Sequence, residues 1–303
     1  MSLLVVGSVA LDSVETPFDS AKDILGGSAT YFSVVASFFS SVRVVAVVGE
    51  DFPREHIDFL ETRDIDLQGL QQVPGKTFRW SGRYRKNLNE RDTLETALNV
   101  FENFEPEIPG DYCDSPYLFL GNIAPELQLR VLEQVRSPEL IACDTMNFWI
   151  ERSPTDLSKV LEKIDILMIN DEEARQLAEE YNLLKASRRI MSMGPKILIV
   201  KRGEYGAMMF HGDHIFQASA YPLEDVMDPT GAGDSFAGGF MGYLAMTGNH
   251  GIENLKRAMV CGTVAASFTV EDFSLDRLRT VTIDEIRARY SEFIGLTHFD
   301  ELK

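Results

Sequence analysis

Three small residues with a carboxylate directly behind them stand in the stretch Asp228-Pro229-Thr230-Gly231-Ala232-Gly233-Asp234-Ser235. Residues 231–233 leave their backbone N–H groups open to close approach by a ligand. Phe236, Ala237, Phe240, Met241, Leu244 and Ala245 recur behind them at helical spacing, so the turn opens a helix. Free N–H groups and the positive end of the helix dipole meet there, which suits an anion such as a phosphate. Asp234 adds a carboxylate in the first turn, either for chemistry or merely as a complement to the dipole. Asn170-Asp171-Glu172-Glu173 lies where an apolar run passes into a helical pattern. Asn170 and Glu173 have the spacing of a capping box, and the same side chains suit magnesium-bound water or phosphate. Lys201-Arg202-Gly203-Glu204-Tyr205-Gly206 ends another run with two cations and two glycines, the makings of a nucleotide-phosphate loop or of a surface turn. Asp12 follows the first apolar run, and Leu25-Gly26-Gly27-Ser28-Ala29-Thr30 again sets bare backbone before a helix-like segment, 31–39.

The elements that must position these groups follow from periodicity. Short apolar runs at 3–6, 43–48, 117–120, 140–143, 165–169 and 196–200 read as strands buried on both faces. Helix-like stretches at 53–63, 126–135, 154–164 and 172–181 lie between them. Such alternation implies a parallel sheet with helices on both sides. Open sheets of this kind bind ligands at the C-terminal ends of their strands, where Asp12, Asn122, Asp144, Asn170 and Lys201 fall. Residues 207–210 and 215–218 flank Gly212-Asp213 as a hairpin that extends the sheet. The last third is helical, at 235–245, 252–268 and 283–293.

Between 75 and 101 the character changes. Phe78, Trp80 and Tyr84 take even positions, while Arg79, Arg83 and Arg85 take odd ones. With period two, an aromatic face and a basic face lie back to back on one strand, and 93–101 alternates as its partner. The ribbon reads as a small sheet outside the main core, with either face open to a ligand.

Composition bounds the function. A chain of 303 residues with 45% hydrophobic content builds a large core and is not disordered. The net charge of −18 repels nucleic acid and acidic membrane surfaces, so neither is expected as a partner. An anionic substrate must then be drawn by local groups. Cys113, Cys143 and Cys261 are far apart and form neither a disulfide frame nor a zinc site. The opening MSLLVVGSVALDS lacks a basic leader, and no run approaches the roughly 18 apolar residues of a membrane span. A reduced, soluble cytoplasmic protein is the expectation. Gly69 to Thr77, GLQQVPGKT, has the wrong glycine spacing for a phosphate loop and is followed by a strand pattern. No GxGxxG follows the first strand, which removes the main support for a dinucleotide enzyme.

The 228–235 stretch resembles the C-terminal signature of the ribokinase-like (PfkB) carbohydrate kinases, and the resemblance extends over nearly the whole chain. Gly26-Gly27 is similar to that family's sugar-binding glycines, Asn170 with Glu173 to its NxxE motif, and Gly203 with Gly206 to its GxxG nucleotide loop. The resemblance implies a single α/β domain, 1–303: a three-layer α/β/α sandwich with a mostly parallel sheet and a small β-sheet lid from about 12–26 and 76–105. It implies transfer of the γ-phosphate of ATP to a hydroxymethyl group. Asp234 would be the catalytic base, and Gly231, Ala232 and Gly233 the anion hole. Asp12, Gly26, Gly27 and Asn122 would bind the acceptor. Asn170, Lys201, Gly203, Gly206 and Thr230 would bind ATP, with Asn170 and Glu173 ordering Mg²⁺ through water. Many relatives bind a monovalent cation beside the anion hole, where Asp228 could contribute a ligand to K⁺. Two departures stand out: Tyr31 occupies the place of an asparagine that often contacts sugar, and Val270-Glu271-Asp272-Phe273-Ser274 replaces a Gly-Ala segment near the cation. An ordinary sugar is the first choice of acceptor. A nucleoside is second, since Phe78, Trp80 or Tyr84 could stack on a base. A sugar phosphate gripped by Arg79, Arg83 and Arg85 is third. A non-catalytic nucleotide or sugar sensor is the reading from another class, and resemblance to ribokinase suggests a homodimer formed through the lid.

Overall fold

In the computed structural model, which describes residues 1–298 and 300, the first apolar run forms β1 (Leu3–Val6), buried throughout. An antiparallel pair, β2 (Ala10–Glu15) and β3 (Ser20–Gly26), follows, and α1 (Ser28–Ala36) starts directly after Gly27. Next come β4 (Val42–Gly49), α2 (Arg54–Thr62) and β5 (Ile65–Val73). The aromatic and basic ribbon forms β6 (Arg79–Tyr84) and β7 (Arg91–Ala97). Alternation then resumes with β8 (Tyr117–Leu120), α3 (Pro125–Gln134), β9 (Leu140–Asp144), α4 (Asn147–Arg152) and α5 (Pro154–Leu161). It continues through β10 (Ile166–Asn170), α6 (Asp171–Ala178), α7 (Leu183–Met191) and β11 (Ile197–Lys201). A hairpin, β12 (Ala207–His211) and β13 (His214–Ala218), precedes four helices, α8 (Ala232–Thr247), α9 (Ile252–Thr269), α10 (Asp276–Thr280) and α11 (Ile283–Thr297).

The main sheet has the order β13-β12-β11-β10-β9-β8-β1-β4-β5, parallel from β11 to β5 and antiparallel in its terminal hairpin. Leu3 and Val5 face a core with Phe240, Met241 and Phe268, while Leu4 and Val6 face a second core with Val131, Val160 and Leu161. Burial on both faces explains why these strands are continuous apolar runs instead of alternating ones. Gly238 and Gly239 let α8 sit closely between its neighbours. A Cβ on Gly238 would run into the Phe32 carbonyl of α1, and one on Gly239 would lie 2.9 Å from the Cys261 carbonyl of α9. That packing fixes where the first turn of α8 ends up.

The small sheet has the order β3-β2-β6-β7. Asp12 pairs in register with Trp80, which puts both on one face. Tyr84 on that face packs with Val14 and Phe273, so the aromatic side is turned toward the main body. The arginines are engaged in ion pairs: Arg79 with Asp23 (3.0 Å) and Asp51 (2.8 Å), Arg83 with Glu15 (2.6 Å), and Arg85 with Asp92 (2.8 Å).

Some expectations need correction. The partner of β6 runs from Arg91 to Ala97, not over 93–101; residues Asn99–Asn103 make a 3₁₀ turn instead. β5 is absent from the sequence reading because, as an edge strand, it is mostly polar and lacks a clean apolar run. Gly69, the first glycine of the apparent phosphate loop, lies within it, where a Cβ would sit 2.5 Å from the Val44 carbonyl of β4. α7 and α4 also went unread, α4 being too short to show a period. Among the described residues no helix is long and apolar enough to cross a membrane, and Cys113, Cys143 and Cys261 are buried and free.

Candidate active site

The turn before α8 is built backward from its glycine. Gly231 has φ +76°, a left-handed conformation that side-chain-bearing residues rarely adopt, and a Cβ there would run into the Tyr31 ring of α1. Asp228, only 1% exposed, ties the approach: its Oδ1 accepts from the Thr230 N–H at 2.8 Å, and the Met227 N–H donates to the Val270 carbonyl at 2.8 Å. Asp228 Oδ2 is buried and has no hydrogen-bond donor. Thr230 turns its hydroxyl toward the small sheet, donating to Tyr84 Oη at 3.1 Å.

Asp234, in the first turn of α8, is partly buried at the head of the helix. Burial, reinforced by the charge of Asp144, pushes its carboxyl up to about 7 against the opposing pull of Lys201 and Arg91. Lys201 ends β11 and pairs with Asp144, which ends the neighbouring-but-one strand β9, at 2.9 Å. A Cβ on Gly233 would come within 3.1 Å of Lys201 Nζ, so the lysine lies along the bare backbone of the turn. Burial opposes the lysine's charge, yet Asp144, Glu173 and Asp234 together hold its ammonium above the ordinary range.

Asn170 and Glu173 form the capping box in full, the Glu173 N–H donating to Asn170 Oδ1 and the Asn170 N–H to Glu173 Oε2, each at 2.8 Å. The box also holds a carboxylate inside the cleft. Burial first, then Asp144, push Glu173 up to about 7. Asp12 lies 5% exposed against Gly26, where any Cβ would overlap its carboxylate. Burial, with Asp228 and then Asp234 adding to it, raises Asp12 to about 7, while the Gly27 N–H and Arg91 favour its charged form. Carboxyls this far above their usual range, converging from separate elements, are characteristic of functional sites.

A cavity of about 370 Å³ opens beside this cluster, of a size for a small ligand. Lys201, Gly203, Gly206, Ala232 and Gly233 form its polar end, with Leu223, Val226, Phe236 and Val270 on its walls. The turn between β6 and β7 roofs it through Lys86 to Asn89. Gly206 (φ +82°) must be glycine, since a Cβ would run into the Ala218 carbonyl. The structure thus brings Asp12, Gly26, Gly27, Asn170, Glu173, Lys201, Gly203, Gly206 and residues 228–234 to one edge of the sheet. Asn122 is at the same edge, but its amide is engaged, accepting from Trp149 Nε1 at 3.0 Å and donating to Met146 Sδ at 3.2 Å.

Three further participants lay outside the site read from the sequence, and one of them went unread altogether. Asp144 was visible only as a polar strand end. Tyr84 belonged to the aromatic face whose direction was open. Arg91 gave no signal at all: it lies opposite Tyr84 in the register, its guanidinium 5.4 Å from the Trp80 ring centre, and its charge reaches Asp12, Glu173 and Asp234. Among the described residues it has no salt-bridge partner, unlike Arg79, Arg83 and Arg85.

A partly buried carboxylate at a helix N-terminus, a lysine along the bare turn and a cavity sized for a small ligand together suit phosphoryl transfer to an alcohol. Residues 11–278 match the pfkB family of carbohydrate kinases, and the chain belongs to that family. It is an ATP-dependent sugar or nucleoside kinase with a ribokinase-like α/β fold. Among curated relatives it is 28% identical over 249 residues to a cytidine kinase of Thermococcus kodakarensis, covering 80% of this chain and 88% of the relative. It is 26% identical over 290 residues to a nucleoside kinase of Methanothermobacter thermautotrophicus, covering 89% of each. Among solved structures, a Burkholderia thailandensis nucleoside kinase in complex with inosine superposes with a TM-score of 0.81 at 20% identity, over 97% of this chain and 99% of that one.

Proposed function

We propose that this protein transfers the γ-phosphate of ATP to the hydroxymethyl group of a nucleoside, with Asp234 as general base. The observation that carries the reading is the position of Asp234. It lies within the electrostatic reach of the buried Asp12 on one side, while its neighbours Ala232 and Gly233 line the cavity on the other. Asp12, with the Gly26-Gly27 backbone, holds acceptor hydroxyls, and Asn122 borders that side. Gly203 and Gly206 give the nucleotide phosphates bare backbone to approach, and Thr230 links that end of the site to the small sheet. Asp234 accepts the proton of the hydroxymethyl group as its oxygen bonds to the γ-phosphorus and the bond to the ADP oxygen breaks. The N–H groups of Gly231 and Gly233, with Lys201, hold the negative charge of the transferring group, to which a helix N-terminus adds up to ~2 kcal/mol, while the Ala232 N–H is given to the Pro229 carbonyl at 3.2 Å. These short-range donors attract the anionic nucleotide despite the net charge of −18.

Magnesium fits this residue set as an ion that arrives with the nucleotide. Among the described residues no three carboxylate, histidine or cysteine groups converge as a metal cage, and Mg²⁺ ordinarily takes few protein ligands alongside phosphate and water. Asn170 and Glu173 would hold its waters. When bound, it neutralises phosphate charge and aligns the transfer. Asp228 Oδ2, buried without a donor, is the oxygen available to a monovalent cation such as K⁺.

A nucleoside is favoured over an ordinary sugar by the two curated relatives above, both nucleoside-type kinases, and by Trp80 sharing the face of Asp12. A sugar phosphate has less support, because the arginines that would grip it are already paired with carboxylates. An ADP-release screen over ribonucleosides, free sugars and sugar phosphates tests the reading. Turnover with a ribonucleoside well above the rest is expected, and a response to free sugars alone would overturn it.

A further inference from the structure

The turn that joins β6 to β7 carries Lys86 to Asn89 over the cavity beside the head of α8. Its shape is set from within. Asn87 Oδ1 accepts from the Asn89 N–H at 3.1 Å, Asn87 Nδ2 donates to Glu90 Oε1 at 2.9 Å, and the Arg85 N–H donates to the Glu90 carbonyl at 3.1 Å. Two contacts seat the turn on its surroundings. Leu88 packs on the cluster of Val14, Tyr84 and Phe273, and Asn89 lies on the glycine loop, where a Cβ on Gly203 would overlap its amide oxygen. Asn89 Nδ2 also donates to Glu204 Oε1 at 3.5 Å. Among the described residues two cations line the cavity, Lys201 and Lys86. Lys201 is already engaged: it pairs with Asp144 at 2.9 Å, and the charges of Glu173 and Asp234 reach it as well. Lys86 has no ion-pair or hydrogen-bond partner among the described residues, although Arg85 beside it pairs with Asp92 at 2.8 Å. An unpaired lysine is ordinary on a surface. What singles out Lys86 is its place on the wall of a cavity whose other lysine is neutralised, in a chain of net charge −18.

We propose that Lys86 binds the phosphates of the donor nucleotide, so that the small sheet completes the donor site with a charge the main body lacks. The inference rests on the reading of this cavity as the donor site. A triphosphate that enters with magnesium keeps net negative charge, and Lys201, facing Asp144, Glu173 and Asp234, offsets little of it. The contact of Asn89 with Gly203 sets the turn at the polar end of the cavity, where the phosphates lie against the glycine loop and the start of α8. A lysine ammonium is a compact charge on a flexible stem, suited to following phosphate oxygens from the open side. The same ribbon carries Trp80 in register with Asp12, so one element borders both substrates.

The test compares wild type with Lys86→Met, which keeps the stem and removes the charge, and with Lys86→Arg, which keeps the charge. The probes are the magnesium complex of β,γ-imido ATP, titrated calorimetrically, and ADP release with the fastest acceptor among adenosine, cytidine and ribose. Lys86→Met should weaken binding of the analogue about 3- to 30-fold and raise KM for MgATP in step, with KM for the acceptor unchanged. Lys86→Arg should stay within about 3-fold of wild type. Both unliganded variants should melt with wild type, since Lys86 is exposed. Unchanged analogue affinity in Lys86→Met would overturn the inference. An equal rise in both KM values would overturn it too, marking the lysine as a structural part of the roof. Leu223→Trp, which fills the cavity from its wall, separates this inference from the reading beneath it. If that variant binds the analogue as wild type does, the cavity is not the donor site and both fall. If it loses the analogue while Lys86→Met does not, only the inference falls.

Discussion

Replacing Asp234 by asparagine keeps the shape of the first turn of α8 and removes one proton acceptor. The surroundings set the size of the effect. Lys201 keeps its 2.9 Å ion pair with Asp144 and the nearby Glu173, so the lysine stays charged and in place. The cavity walls do not include the Asp234 side chain, and the backbone of Gly233 is untouched. What is lost is base catalysis, worth about 10² to 10⁴ in rate, or roughly 3–5 kcal/mol on the barrier. Turnover should fall by at least two orders of magnitude while affinity for a non-hydrolysable MgATP analogue stays within a few-fold. The assay is ADP release at saturating acceptor, paired with calorimetric titration of the analogue. Wild-type activity should rise with pH through about 7, where the carboxylate loses its proton. Asp12 and Glu173 titrate in the same range, so that limb is a composite. In Asp234→Asn the limb should weaken. Turnover within a factor of ten of wild type would refute the role, as would loss of nucleotide binding in step with turnover.

Arg91→Ala should move the acid limb of the activity profile upward, because the arginine's charge favours the ionised forms of Asp12, Glu173 and Asp234; an unmoved limb would count against its placement in the site. Melting temperature should barely change, as Arg91 is exposed. Gly231→Ala should cost at least ~2 kcal/mol in chemical denaturation and most of the activity, since it combines a left-handed backbone with a clash against a buried ring. The unliganded protein should lose stability as pH rises from 5.5 to 8. Asp12, Glu173 and Asp234 have folded-state values of about 7 against 3.8–4.5 unfolded, so the folded chain binds their protons more tightly and that contribution vanishes as pH passes 7. Thermal melts across this range check the sign, and a rising melting temperature would contradict it.

Much of the main sheet could be read before any coordinates, because its strands are buried on both faces and their alternation with helices leaves few topologies. The same holds for the glycine turn ahead of Asp234 and for the cap at Asn170, whose chemistry is local and spans four to eight residues. β5 was illegible for the opposite reason: an edge strand needs no apolar run, and its hydrogen bonds to β4 arise only when the chain returns to that side.

The sequence by itself determined the glycine-turn helix start, the strand-end carboxylates and the two-faced ribbon, all of which depend on neighbours in the chain. Only the tertiary structure decided which face of the ribbon turns inward, because register with β2 and packing on Phe273 are long-range contacts. It also decided that Asp144, Lys201, Glu173 and Asp234 share one field. Burial raises the proton affinity of Glu173 and Asp234, while the surrounding carboxylates raise that of Lys201 against its own burial, and no stretch of the chain carries either effect alone.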